Sequence, residues 1–263
     1  MRKLILAGSL LALFVPAVAV AQSSLDGTWK FDLKTAQLPA KPSVFVLQDG
    51  VYTCKTCIPP IEVKADGEDH KVTGHPYYDS VRIKILDDNT IEETDKKAGK
   101  TVTVAKTTVS ADGKTAVTEF TDSSNTNAAP VTGKVTATRV ADAPAGSHAV
   151  SGSWRTSKVS SLSDNAVLVT FKVEGDSLQM TDLTGQSYTA KLDGTEAPYM
   201  GDPGITTVFV KRIDANTFEE TDKRKGKVIS VARMTVSPDG KMMKLSVHDM
   251  LQGTTTRVSA AKQ

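Results

Sequence analysis

The chain has 263 residues, with 32 Lys and Arg against 30 Asp and Glu and only 5% aromatic residues. Arg2 and Lys3 account for the whole net charge of +2, and the remaining charges are balanced and interspersed. This excludes the clustered basic face that a nucleic-acid or anionic-membrane binder needs, and so few aromatic residues argue against a deep aromatic-lined pocket.

The chain opens with Arg2 and Lys3, then an apolar run from Leu4 to Val20, then Ala19-Val20-Ala21 as a small-residue cleavage site. That order predicts an export signal over residues 1–21, cut near Ala21. The run is too short and too cleanly terminated for an anchor, and no Cys follows to accept a lipid. No other stretch is apolar enough to span a bilayer, so the expected destination is the periplasm or the medium.

Residues 81–114 recur without a gap as residues 208–241, identical at 20 of 34 positions. Register kept over that length requires the same strands and turns in the same order, so one fold is written twice. Ala141 to His148 is small and polar with Pro and Gly, which is linker composition. The expected units are therefore 22–140 and 150–263, joined by 141–149, each large enough for its own core.

Segments such as 81–86, 101–109 and 131–140 are rich in Val, Ile and Thr. They are separated by Asp-Gly turns at Asp49-Gly50, Asp66-Gly67 and Asp112-Gly113, repeated at Asp193-Gly194 and Asp239-Gly240. The chain reads as all-β, with about eight short antiparallel strands per unit. Curling closed is the simplest escape from exposed edges, so two tandem up-and-down barrels are expected, with a pair of sandwiches as the alternative.

Each unit begins with Gly-x-Trp, at Gly27-Thr28-Trp29 and Gly152-Ser153-Trp154, and ends on a strand bearing one Arg, at Arg139 and Arg257. This resembles the lipocalin and wider calycin pattern, and most closely exported bacterial proteins with tandem lipocalin-like repeats of no assigned activity. The resemblance implies that the terminal Arg of each unit covers that unit's Trp: Arg139 on Trp29 and Arg257 on Trp154. Such stacking closes the barrel bottom and contributes about 0.5 to 2 kcal/mol. These four are read as fold residues. The lumen of a small barrel is either filled by its own side chains or holds one small ligand.

Chemistry concentrates in residues 52–79, where the units differ most. Cys54 and Cys57 are the only cysteines, and in an exported protein such a pair defaults to a disulfide. Cys54-x2-Cys57-x12-His70-x4-His75 also has the spacing of a two-Cys, two-His zinc site. Pro76 and the Val-Thr-Gly stretch before it deny the helix a finger needs, which leaves a zinc or copper site on strands as the metal reading. Tyr77 and Tyr78 are candidate ligand contacts beside His75, or covers for a loop.

The best-kept segment is Glu92-Glu93-Thr94-Asp95-Lys96, repeated as Glu219-Glu220-Thr221-Asp222-Lys223. On a strand, Glu93 and Asp95 share a face with Ile91, so a carboxylate line is expected to point inward, as at Glu220. Lys106 and Arg233 on the following strands are the expected cross-strand partners. No nucleophile elbow, phosphate loop or dinucleotide fingerprint occurs, and no catalytic residue is named. The function expected is an exported, non-catalytic barrel protein binding a small apolar or amphipathic ligand in the cell envelope. The alternatives are a structural or envelope-protein interaction module with filled barrels, and a metal-binding protein.

Overall fold

A computed structural model describes residues 23–124 and 128–263; the expected export signal lies outside the described residues. The first repeat forms β1 (Gly27–Gln37), β2 (Ser43–Gln48), β3 (Val51–Cys54), β4 (Ile61–Lys64), β5 (His70–Lys71), β6 (Ser80–Asp87), β7 (Thr90–Lys97), β8 (Lys100–Val109), β9 (Thr115–Asp122) and β10 (Val131–Ala141). The second forms β11 (Gly152–Leu162), β12 (Leu168–Glu174), β13 (Ser177–Asp182), β14 (Ser187–Lys191), β15 (Asp193–Met200), β16 (Thr207–Arg212), β17 (Thr217–Arg224), β18 (Lys227–Val236), β19 (Met242–Asp249) and β20 (Thr254–Lys262).

The strands make two antiparallel sheets of ten. One is a closed barrel, β1-β12-β13-β14-β15-β16-β17-β18-β19-β20, and the other runs β4-β3-β2-β11-β10-β9-β8-β7-β6-β5. The all-β, barrel-type expectation stands, and the sandwich alternative falls to the closed ring. The expected eight strands per sheet are ten. The surplus lies where β3, β4 and β5 have only four, four and two residues, too short for a period-two pattern to register.

Tight turns set the register. Asp49 and Gly50 both adopt positive φ, 53° and 73°, joining β2 to β3 with the twist-matched geometry that Asp-Gly favours. Ala98-Gly99 and Lys225-Gly226 solve the same problem at equivalent hairpins.

The two sheets exchange their first strands. β1 belongs to the first repeat, yet it sits between β12 and β20 of the second. β11 belongs to the second repeat, yet it sits between β10 and β2 of the first. The linker at 141–149 therefore divides the repeats in sequence but not the sheets. A physical reason is legible in Leu38-Pro39-Ala40-Lys41-Pro42, between β1 and β2. Two prolines in five residues stiffen that connection and disfavour a tight β1–β2 hairpin, whereas the reciprocal β11–β12 connection, 163–167, carries none. The result is a strand swap of the kind usually seen between protomers, closed here within one chain.

The exchange corrects the Trp closure. Arg139 lies over Trp154, 4.1 Å from the ring centroid, and is paired with it across β10 and β11. Its guanidinium also donates to the carbonyls of Gly113, Ser151 and Ala149. Trp29 is covered by Lys262, 4.9 Å from the ring, its register partner on β20. Arg257 covers neither indole; it lies opposite Gln37 and Ser246. Matching the Thr-Arg-Val sequences hid this, because the register makes Ala137 opposite Ala116 correspond to Ala260 opposite Met243. Lys262 is thus the counterpart of Arg139. The Gly of Gly-x-Trp has its own reason: a Cβ on Gly152 would collide with Arg139 Nη1.

Both indoles donate to the carbonyl four residues earlier, Trp29 to Leu25 at 2.8 Å and Trp154 to Val150 at 2.9 Å. They anchor separate cores. Trp29 packs with Phe171, Leu178, Val208, Val210, Phe218 and Met243 in the closed barrel. Trp154 packs with Leu47, Tyr52, Ile61, Val81, Ile83 and Ile91 in the open one. Burying each such side chain contributes about 1.5 to 3 kcal/mol.

Candidate functional site

Alternation along β7 and β17 turns Glu93, Asp95, Glu220 and Asp222 inward, on the face that carries buried Ile91 and Phe218. Asp95 and Asp222 are 7% and 6% exposed. Glu93 and Glu220 keep more accessible surface, and each lines a pocket of its barrel. The expected carboxylate line is real. Its expected partners are not: Lys106 lies opposite Glu92 and Glu119, and Arg233 opposite Glu219, so both cations serve the outer face. Among the described residues no ion pair involves any of the four inward acids.

Tyrosines take the place of cations. Tyr52 on β3 donates to Glu93 Oε2 at 3.3 Å, and Tyr188 on β14 donates a short hydrogen bond to Glu220 Oε2. The two tyrosines occupy unrelated positions in the repeat. Register makes Leu178, not Tyr188, the counterpart of Tyr52, since Leu47 opposes Tyr52 as Val173 opposes Leu178. A second tyrosine attends each acid pair, Tyr78 in the open barrel and Tyr199 in the closed one, again from different places. The same acid pair has therefore been given the same chemical neighbours twice from different strands. No alignment of the repeats shows this, and no local sequence pattern singles out Tyr52, Tyr188, Tyr199 or Ser230. The signal available was the acids themselves, since an inward carboxyl demands a donor.

Burial sets the electrostatics. Loss of hydration raises every inward acid, because the charged form is the one disfavoured. Asp95 is pushed up to about 8, by desolvation first and then by Glu93 and Asp122. Glu220 is pushed up to about 8, by desolvation first and then by Asp222. Glu93 and Asp222 also move upward through desolvation. Each pair therefore retains a proton near neutrality, and its titration belongs to the pair and not to one residue. The tyrosine hydroxyls, raised by burial and by the acids beside them, stay protonated donors.

The barrels differ in the space left around these pairs. The closed barrel holds a pocket of about 380 Å³ that opens to solvent, walled by Phe31, Phe171, Met180, Met234, Met243 and Leu245, with Tyr199, Glu220 and Asp222 among its polar lining beside Asn165, Asp182, Thr184 and Gln186. The open barrel leaves about 200 Å³ between Tyr52, Glu93, Ala105 and Trp154. The larger wall owes most of its apolar surface to aliphatic residues and methionines, which is how a chain poor in aromatics builds a pocket.

The other candidates are dispersed. Cys54 and Cys57 form a disulfide, so neither sulfur is a thiolate ligand. His70 contacts Asp66 Oδ1 at 2.8 Å, and His75 stacks on Tyr78 with centroids 4.7 Å apart. Among the described residues no group of three or more His, Cys, Asp or Glu converges as a metal site. Tyr77 points away from the lumen and donates to Asp202 Oδ1 of the second repeat at 3.0 Å. Gly204, its counterpart in the repeat, leaves room for it, since a Cβ there would strike the Tyr77 hydroxyl. Tyr77 is a contact between barrels; Tyr78 is the one of the pair that faces the acids.

Comparison with family models, curated proteins and solved structures finds no match for this chain. What the site can do follows from its geometry alone. It offers a mainly apolar chamber with a protonatable acid pair, one member of which accepts from the Ser230 hydroxyl.

Proposed function

We propose that the protein is an exported, non-catalytic carrier that binds one small amphipathic molecule in the closed barrel. The observation that carries this reading is the 380 Å³ chamber, whose mainly apolar wall also carries Asn165, Asp182, Thr184, Gln186, Tyr199, Glu220 and Asp222. Ligand sites occupy about 300 to 1,000 Å³, mostly apolar with a small number of placed polar groups. The export component rests on residues 2–21 and agrees with the Cys54–Cys57 disulfide, a bond of oxidising compartments. The resemblance to lipocalin-like repeats points to the same class by analogy. The open barrel, with about 200 Å³, is the structural half.

The test is titration of the mature protein with an uncharged fluorescent apolar probe, together with native mass spectrometry of material purified without detergent. One equivalent of probe per chain is expected, lost on Ala232→Phe, which fills the chamber wall. Two equivalents of equal affinity would place ligands in both barrels, and no uptake at all would leave an interaction or scaffold protein.

A further inference from the structure

The closed barrel contains an orphaned acceptor. Asp222 is 6% exposed, its Oδ2 accepts from Ser230 Oγ at 2.6 Å, and its buried Oδ1 has no hydrogen-bond partner. Asp222 lines the 380 Å³ chamber beside Glu220, whose Oε2 is taken by Tyr188. A buried acceptor without a donor is unfavourable, and sharing a proton with Glu220 is the relief the protein itself supplies. Among the described residues no cation is ion-paired with either acid, and the buried Nε of Arg224 on the same strand face has no hydrogen-bond partner. Tyr188 and Tyr199 face the pair, and Asp202 lies beyond. Asp182 is occupied by Thr184 and Gln186.

We infer that the chamber is built for an amphipathic amine, whose ammonium is held by the Glu220–Asp222 pair while its alkyl chain lies against Phe171, Met180, Met234 and Met243. This rests on the carrier reading above and adds the head group to it. The chemistry is specific. An ammonium brings three donors and the missing positive charge to two acceptors in a low-dielectric site. A hydroxyl head brings one donor and no charge, and a carboxylate adds a third acid to the pair. Binding the ammonium ionises the pair, so the shared proton leaves to solvent and none is created or lost otherwise. The open barrel is a built-in control: Asp95 Oδ1 is equally unpartnered, but Asp95 does not line the smaller space there.

Isothermal titration of the full mature chain with octylamine, octanol and octanoate at pH 7 tests this. Octylamine is expected to bind at least tenfold more tightly than octanol, with octanoate weakest. Its affinity should fall as pH drops from 8 to 5, because the pair then holds its protons against the ligand. Asp222→Asn should abolish the preference for amine over alcohol, while Asp95→Asn in the other barrel leaves it unchanged. The wild-type comparison of three heads needs no variant to fold. Equal affinity for octylamine and octanol, or an amine preference that survives Asp222→Asn, overturns the head-group assignment with the carrier intact. Failure of all three probes to bind overturns both.

Discussion

The two barrels begin from the same sequence and end with different interiors. Both keep the Glu-x-Asp pair, the buried Trp with its hydrogen bond four residues back, and a cation over the indole. One ring closes where Ser187 and Tyr188 meet Met200 and Tyr199. The other stays open, because the equivalent strands, β4 and β5, end the sheet without pairing. There Asp69 holds the connecting loop to Arg82 and Lys96 by ion pairs, and Asp66 is hydrogen-bonded to His70. Duplicated sequence thus preserves what makes a barrel, the turns and core stripe, and releases what decides whether it is hollow.

The largest effect is expected from the strand exchange. Trp29→Ala should cost about 3 to 5 kcal/mol, as large aromatic deletions in cores do. Hydrogen exchange should report that loss in β12 to β20, far along the sequence, with β2 to β10 keeping their protection. Trp154→Ala should do the reverse. If each substitution instead loosens the sheet built from its own repeat, the exchange is wrong and the barrels are independent.

Next come the two caps. Arg139 stacks on Trp154 and donates to three part-buried backbone carbonyls, so Arg139→Ala should cost about 2 to 4 kcal/mol. Lys262 stacks on Trp29 and donates to Ser24 O at 3.1 Å, so Lys262→Ala should cost about 1 kcal/mol. Arg257→Ala should change stability by less than about 0.5 kcal/mol. Denaturant midpoints of the three variants rank them directly, and an Arg257 effect equal to that of Arg139 would restore the closure implied by the sequence resemblance.

How far the sequence carried can be read from these residues. Turns and strands were legible because Asp-Gly pairs and β-branched alternation are local signals. The inward carboxylates were legible because strand alternation is strict. Exchange was not, since each strand of a swapped pair carries the same pattern wherever it docks. The tyrosine partners were not either, because Tyr52 and Tyr188 reach equivalent acids from strands that alignment does not equate. Arg257 misled for a related reason: a short motif match placed Thr-Arg-Val five residues from the true register of β20 with β1.

The acid pairs give a pH dependence of opposite sign to that of an ordinary ion-paired protein. An unfolded carboxyl ionises near pH 4, whereas Asp95 and Glu220 hold protons up to about pH 8 in the fold. Between those values the folded state binds more protons than the unfolded, so stability falls as pH rises. The contribution is complete below about pH 4 and gone above about pH 8. The melting temperature should drop by roughly 5 °C or more from pH 5 to pH 9, since 1 kcal/mol moves it about 2 to 4 °C in a chain of this size. Combining Glu220→Gln with Asp222→Asn should flatten that slope by about half, leaving the share of Glu93 and Asp95. A slope unchanged by both substitutions would mean that the closed barrel's acids ionise freely through the water of an open lumen.

The smallest effect tests one side-chain contact between the barrels. Tyr77 donates to Asp202 across 125 residues of sequence, and Asp202 also accepts from Gly204 N at 2.6 Å. Tyr77→Phe removes one donor and leaves the acceptor still bonded, so the cost should be about 0.5 to 1.5 kcal/mol. Gly204→Ala should cost more, because the added Cβ must displace the same hydroxyl that Tyr77→Phe merely deletes. In the Tyr77→Phe background Gly204→Ala should become milder, and the coupling between the two substitutions measures how firmly equivalent points of the repeat press on each other. Affinity for the amine probe should not respond to Tyr77→Phe, since this side chain faces the other barrel and not the chamber. A loss of probe binding in that variant would return Tyr77 to the ligand site and make the seam between barrels part of the chamber's mouth.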